Sequence, residues 1–297
     1  MNKFNVSDLI DRKLVRAKEY PSGLKVLKYT KKVFWDNLWH LDDRLLNCRG
    51  TVVDSDWNII TMPFTKVFNY GENNTFVDRD RIVVAPEKVN GFMAAMNSDY
   101  TPLVSTTGTL DSDFVTMAIE KIKPSRLITN HTFLFEIVHE NDPHIVNETP
   151  GAYLIGVRHN HLNSDMFDES VLDDIAEQEG WLRPKWSQKR FGEVLDGAGY
   201  VYHEGYMIRD AVSGDILCKL KSPYYLAKKF FMRVSKNTLK SLFDNPEMFK
   251  KRIDEEYYPL LQYITDDFRK KDWESLDESQ RGDIVEDFIY HMKRGGV

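Results

Sequence analysis

The segment Glu87-Lys88-Val89-Asn90-Gly91 sets one lysine in a short polar turn between two stretches, 81–85 and 92–97, that read as extended chain. A lysine amine attacks a phosphorus or carbonyl centre only when neutral, so it must be buried or set among other cations that lower its pKa. Alone, such a lysine is an ordinary solvated turn residue. Its company changes the reading. Downstream lie Phe133-Leu134-Phe135-Glu136-Ile137-Val138, then Glu204-Gly205-Tyr206-Met207-Ile208-Arg209-Asp210, then Cys218-Lys219-Leu220-Lys221-Ser222. Each alternates with period two, placing its charged residues on one face and its apolar residues on the other. Lys219 and Lys221 would depress the pKa of Lys88 and bind a phosphate. Glu136 and Glu204 would hold a divalent ion of the magnesium type through oxygen atoms or bound water.

The elements that must position these residues are legible in outline. Residues 6–20 read as an amphipathic helix with Ser7 as N-cap and Asp8 in its first turn. Residues 24–30 alternate like a strand, and 51–54 with 58–61 read as a hairpin, leaving Arg49 at a strand entrance. Lys66 and Phe68 lie two apart, hence on one face if 65–70 is extended. Residues 103–109 end in Ser105-Thr106-Thr107-Gly108, a small-residue turn whose amides and hydroxyls suit a phosphate. A helix is expected over 112–123, ended by Pro124, with further helices over 171–180 and 188–198 anchored by Trp181, Trp186 and Phe191. Glu136 sits in an apolar strand, where an unpaired carboxylate is costly to bury, so it needs a partner. Residues 202–209 read as a strand carrying Glu204, followed by Gly205, which permits close approach. After Lys221 the pattern turns helical: 225–244, 246–263 kinked at Pro259, and 276–294 closed by Gly295. The fold class is α+β, an antiparallel-sheet body followed by a small all-helical module.

A chain of 297 residues that is 42% hydrophobic buries a sizeable core. The first residues lack an apolar leader, and no run of about 18 apolar residues occurs, so no membrane association is expected. Cys48 and Cys218 cannot build a disulfide framework or a four-cysteine zinc site and are expected as reduced core residues. The formal net charge of −6 argues against indiscriminate wrapping of nucleic acid. Locally, Lys219, Lys221, Lys228, Lys229, Arg233, Lys236 and Lys240 interleave with Tyr224, Tyr225, Phe230 and Phe231. That pattern suits a phosphate-tracking face with stacking rings, or equally a helix with core aromatics and solvated lysines. His139, His144, His159 and His161 cluster in sequence without the spacing of a ββα-metal nuclease.

The order K-x-(D/N)-G, F-E, E-G, K-x-K resembles the covalent nucleotidyltransferase superfamily of ATP-dependent ligases and RNA capping enzymes, and within it the phage RNA ligase 1 type. Arg49-Gly50-Thr51, Pro63-Phe64-Thr65-Lys66-Val67-Phe68-Asn69, Ile145-Val146 and Leu154-Ile155-Gly156-Val157-Arg158 match further motifs of that type, so the resemblance runs over 49–222. It implies a nucleotidyltransferase domain over 1–224, ATP-grasp-like as in ligase adenylation, and a helical C-terminal domain over 225–297 in place of an OB-fold. Lys88 would be the nucleophile, with Lys219 and Lys221 catalytic beside it. ATP would be bound by Arg49, Lys66, Phe68, Glu87, Lys88, Asn90, Gly91, Glu136, Lys219 and Lys221. Arg49 would reach its outgoing phosphates. Mg²⁺ or Mn²⁺ would be held by Asn90, Glu136 and Glu204, through water, and RNA by Lys228, Lys229 and Arg233. The implied reaction joins 5′-phosphate and 3′-hydroxyl RNA ends, such as those of broken tRNA, through lysyl-AMP and an adenylylated 5′ end. The implied protein is a monomer in the cytoplasm, the host's if the source is viral. The alternatives are a GTP-dependent capping-type guanylyltransferase, a ligase acting on DNA, and a non-catalytic RNA-end-binding protein. Two departures are visible: Asn90 replaces an aspartate, and Thr107 stands where the phage pattern has a lysine before the glycine.

Overall fold

The computed structural model describes residues 3–97, 99, 103–123, 128–142, 144–251, 253 and 255–294. Twelve strands occur among them: β1 (Val15–Glu19), β2 (Lys25–Tyr29), β3 (Arg49–Val53), β4 (Ile59–Thr61), β5 (Ile82–Val84), β6 (Phe92–Asn97), β7 (Leu103–Thr106), β8 (His131–Val138), β9 (Gly151–His159), β10 (Gln188–Arg190), β11 (Gly205–Asp210) and β12 (Ile216–Lys221). They form three four-stranded sheets, ordered β1-β2-β3-β4, β10-β5-β11-β12 and β7-β6-β8-β9, and every ladder in them is antiparallel. The central strands are buried on both faces, and alternation decides which core each residue joins. In the third sheet, Ala94 and Met96 of β6 and Phe133, Phe135 and Ile137 of β8 pack under two helices. Phe135 and Trp181 meet edge to face at 4.7 Å.

The helices are α1 (Ser7–Asp11), α2 (Lys31–Trp35), α3 (Asp113–Ile122), α4 (Glu169–Glu179), α5 (Phe191–Gly197), α6 (Pro223–Met232), α7 (Lys236–Asp244), α8 (Pro246–Lys250), α9 (Tyr258–Asp267), α10 (Lys270–Ser275) and α11 (Glu278–Arg294). The last six share one apolar core, including Tyr224, Phe231, Leu260 and Trp273, which also takes in Ile145 and Val146 from the sheet body. Among the described residues no helix is long and apolar enough to cross a membrane. Cys48 and Cys218 are buried and free, and burial pushes both thiols up to about 12.

Several boundaries differ from the sequence expectation. The helix expected over 6–20 is only α1. Lys13 adopts a left-handed conformation (φ 58°), and the following chain pairs with β2 as β1. Ser7 does not cap it, since Val6 holds that position and makes no side-chain cap bond. Residues 188–198 split into β10, claimed by its ladder with β5, and α5. The long C-terminal helices are broken: 225–244 ends as α6 and resumes at α7, capped by Ser235. Pro259 sits in the first turn of α9, where its missing N–H costs nothing, so it starts a helix and does not kink one. The expected stops at Pro124 and Gly295 lie outside the described residues.

Candidate active site

The turn that carries Lys88 is held as a rung between two chain segments. On one side Ala85 N–H donates to Ser187 O (2.9 Å) and Glu87 N–H to Lys185 O (2.8 Å). On the other, Lys88 N–H donates to Gly205 O (2.8 Å) and Met207 N–H to Pro86 O (3.0 Å). The backbone of the nucleophile candidate is therefore fixed before its side chain makes any contact. Gly205 (φ 131°) lets β11 enter so close to β12 that a Cβ there would overlap the Leu220 carbonyl oxygen. Glu204 lies in the bend just before β11, not within the strand as expected.

Alternation then aims the side chains. Met207 pairs with Lys219 across β11 and β12, while Ile208 pairs with Cys218 and packs in the core behind them. Glu136 on β8 projects from the face opposite Phe135 and Ile137, which lie in the core. The result is a cavity of about 390 Å³ lined by Arg49, Glu87, Lys88, Gly91, Glu136, Glu204, Lys219 and Lys221 among others.

The Lys88 ammonium stands 3.1 Å from Glu204 Oε2 and 4.0 Å from Glu136 Oε1, with its side chain 19% exposed. Gly91 N–H donates to Glu136 Oε1 at 3.1 Å. Lys221 Nζ lies 3.7 Å from the other oxygen of Glu204. Burial works to lower the Lys88 pKa, but the charges of Glu136 and Glu204 outweigh it and hold the amine above the ordinary lysine value. This corrects the expectation that Lys219 and Lys221 keep Lys88 neutral. The depressed amines are those two: burial and the nearby Lys66, Arg49 and Lys88 bring Lys219 to about 7, and burial lowers Lys221. Burial is also the first cause that raises the Glu136 carboxyl, ahead of the opposing pull of Lys88.

Other expected residues are placed differently. Asn90 is buried behind the cavity wall: its Nδ2 donates to Glu204 Oε2 (2.7 Å) and its Oδ1 accepts from Val146 N–H (3.0 Å). In this arrangement the amide oxygen accepts from the backbone while the amide nitrogen orients Glu204. Lys66 and Phe68 do share a face, with the ammonium 4.3 Å from the ring centroid, but that face turns away from the cavity. Lys66 is 6% exposed and 3.4 Å from Glu72, and Phe68 packs against Trp39. Val67, between them, lines the cavity.

In α6, Lys228 is buried and paired with Glu286, which removes it from any surface, and Tyr224, Tyr225 and Phe231 are core. Lys229 and Arg233 line a separate groove, where Arg233 lies 3.3 Å from Glu278. The side chains of Lys236 and Lys240 lie outside the described residues.

Among the described residues no group of three or more His, Cys, Asp and Glu side chains converges as a metal site. The carboxylates of Glu136 and Glu204 are hard oxygen donors facing one cavity. They fit a magnesium-type ion, which commonly takes one or two carboxylates and fills its shell with water and substrate phosphate.

Sequence reasoning missed four charged residues on the cavity wall or just behind it: Glu169, Arg183, Arg209 and Glu148. Glu169 of α4 is buried and paired with both Arg183 and Arg209, at 2.6 Å from the latter. Arg209 was findable, because it continues the Met207 face of β11. Glu148, which accepts from Asn90 N–H at 3.3 Å, had no such signal.

No protein-family model and no curated protein sequence matches the chain. Solved structures do match in fold. An archaeal ATP-dependent RNA ligase, form 2, aligns with TM-score 0.57 over 98% of this chain and 79% of its own at 15% identity, and form 1 with TM-score 0.56 over the same shares at 14%. A putative ATP-dependent DNA ligase from Aquifex aeolicus aligns with TM-score 0.51 over 97% and 79% at 15% identity. The fold, antiparallel sheets followed by a run of helices, is therefore shared with these solved structures.

Proposed function

We propose that this protein is an ATP-dependent RNA ligase of the phage RNA ligase 1 type, with an adenylylating domain over 1–224 and a helical domain over 225–297. The observation that carries the proposal is the Lys88 amine, 3.1 Å from Glu204 in a cavity that Glu136, Arg49, Lys219 and Lys221 also line. Lys88, once relieved of its proton, attacks the α-phosphate of ATP, and pyrophosphate leaves as the P–O bond breaks. The product is a lysyl-AMP phosphoramidate. AMP then passes to the 5′-phosphate of an RNA strand, and the 3′-hydroxyl of a second end displaces it to form the phosphodiester. Arg49, Lys219 and Lys221 neutralise phosphate charge through these transfers, which depend on positioning and electrostatics. Glu136 and Glu204 would hold Mg²⁺ or Mn²⁺, which neutralises phosphate charge when bound. The same two carboxylates hold Lys88 protonated in the free site, so loading of ATP and metal is coupled to release of that proton. Broken tRNA is a fitting substrate, and the protein is expected to act as a cytoplasmic monomer.

The test is incubation with magnesium and α-labelled ATP or GTP, followed by denaturing electrophoresis of wild type and Lys88→Ala. Label from ATP alone, absent in the variant, is the expected result. Label from GTP moves the reading to a capping-type guanylyltransferase, and no label from either excludes Lys88 as nucleophile. Matched RNA and DNA ends then separate the two polynucleotide substrates.

A further inference from the structure

Three cations stand in a transverse row on the first sheet. In the β1–β2 ladder Arg16 is directly opposite Lys28, and in the β2–β3 ladder Lys28 is directly opposite Arg49. Facing residues on adjacent strands put their side chains on one face, and like charges placed opposite one another destabilise a sheet. Neighbouring cations on the same sheet are neutralised: Lys18 pairs with Asp111 at 2.5 Å and Lys25 with Glu19 at 3.2 Å. Among the described residues Arg16, Lys28 and Arg49 have no carboxylate within 4.0 Å. The fold thus keeps a repulsive row unpaired where its neighbours are paired, which is the arrangement a polyanion would offset.

Position adds direction. Gly50, in a left-handed conformation at the bulge beside Arg49, packs so closely on the turn after β7 that a Cβ there would lie 2.8 Å from Thr107 Cα. At the same turn, a Cβ on Gly108 would lie 3.5 Å from Lys28 Nζ. Arg49 and Thr107 line the cavity of Lys88. The row therefore starts at the cavity wall with Arg49, passes the Thr107-Gly108 turn at Lys28, and ends at Arg16 on the exposed edge strand. With strands about 4.8 Å apart it spans roughly 10 Å.

We propose that Arg16, Lys28 and Arg49 form a phosphate track that leads the RNA strand bearing the 5′-phosphate into the Lys88 cavity. The proposal rests on the ligase reading above and names the path of its substrate. Arg49 serves both the nucleotide and the strand, whereas Lys28 and Arg16 bind backbone phosphates outside the cavity.

The experiment compares wild type with Arg16→Gln, Lys28→Gln and the double variant on three readouts: lysyl-AMP formation from labelled ATP, sealing of a pre-adenylylated RNA strand, and direct binding of a 5′-phosphorylated single-stranded RNA at several salt concentrations. Binding and sealing are expected to weaken about 10-fold for each cation replaced, with a salt slope shallower by roughly 0.7 per replacement, while lysyl-AMP formation stays within about 2-fold of wild type. Unchanged RNA binding and salt slope in the double variant would overturn the track. An equal fall in lysyl-AMP formation would also overturn it, by assigning the row to the tail of ATP. Failure of the wild type to form lysyl-AMP would sink the ligase reading instead, and the RNA-binding arm would still decide the track.

Discussion

The side-chain amide of Asn90 donates to Glu204 Oε2 at 2.7 Å, tying the turn after Lys88 to the bend before β11. Both residues are buried, and the partner oxygen of the amide is taken by Val146 N–H. Asn90→Asp removes the donor and sets a second carboxylate against Glu204. The expected cost is about 1–3 kcal/mol in metal-free buffer, or roughly 2–4 °C of melting temperature per kcal/mol. Millimolar magnesium should recover more of this in the variant than it adds to wild type, because the cation offsets the added negative charge. Thermal melts with and without magnesium check both statements.

Gly91 has a different constraint. A Cβ there would overlap the Ile137 carbonyl oxygen, which is backbone and cannot swing aside. Gly91→Ala must therefore push the turn away from β8, breaking the Gly91 N–H bond to Glu136 and moving Lys88 with it. A shift of about 1 Å in a reacting group costs on the order of 100-fold in rate. Lysyl-AMP formation should fall by at least that factor while the far-ultraviolet circular dichroism is retained.

Lys219 gives the site a pH dependence whose sign can be fixed. Burial and the surrounding cations bring it to about 7, so near neutral pH only part of the population is charged. An arriving phosphate favours the charged form and raises this pKa, so affinity for ATP decreases as pH rises above about 7. Lys219→Arg keeps its charge throughout and should flatten that decline. Nucleotide titrations between about pH 6 and about pH 9 on both proteins are the check.

How far the sequence carries can be seen in particular residues. β6 falls on the expected 92–97 because a short continuous apolar run, Phe92–Met96, follows the polar Lys88 turn. The helix expected over 6–20 fails because Val6, Leu9, Ile10 and Leu14 have helical spacing, while the chain after the reversal at Lys13 is claimed by the hairpin of β1 with the next strand, β2. Lys66 and Phe68 share a face as period two requires, yet periodicity does not say which face meets the cavity, and Val67 took it. The Arg16, Lys28 and Arg49 row was invisible for the same reason, since it exists only once two ladder registers and a bulge are known. Pairs that depend on register, such as Asn90 with Glu204 or Glu169 with Arg209, lie beyond a linear reading.

Lys88 also neutralises the two carboxylates that face it, and this makes Lys88→Ala more than a catalytic knockout. With the ammonium removed, Glu136 and Glu204 confront each other with Lys221, 3.7 Å from Glu204, left beside them, and burial already holds Glu136 above the usual carboxylate range. The folded-state pKa of Glu136 should rise further. For a carboxylate whose pKa is higher folded than unfolded, the penalty is absent below the unfolded value and grows as pH rises toward the folded one. Lys88→Ala should therefore melt close to wild type near about pH 4 and progressively below it toward about pH 8, by about 3–5 kcal/mol when both groups are ionised. Lys88→Ala combined with Glu204→Gln relieves the repulsion and should regain part of that stability. Denaturation of the three proteins across this range decides the matter. A pH-independent difference would mean that Lys88 does not neutralise the pair.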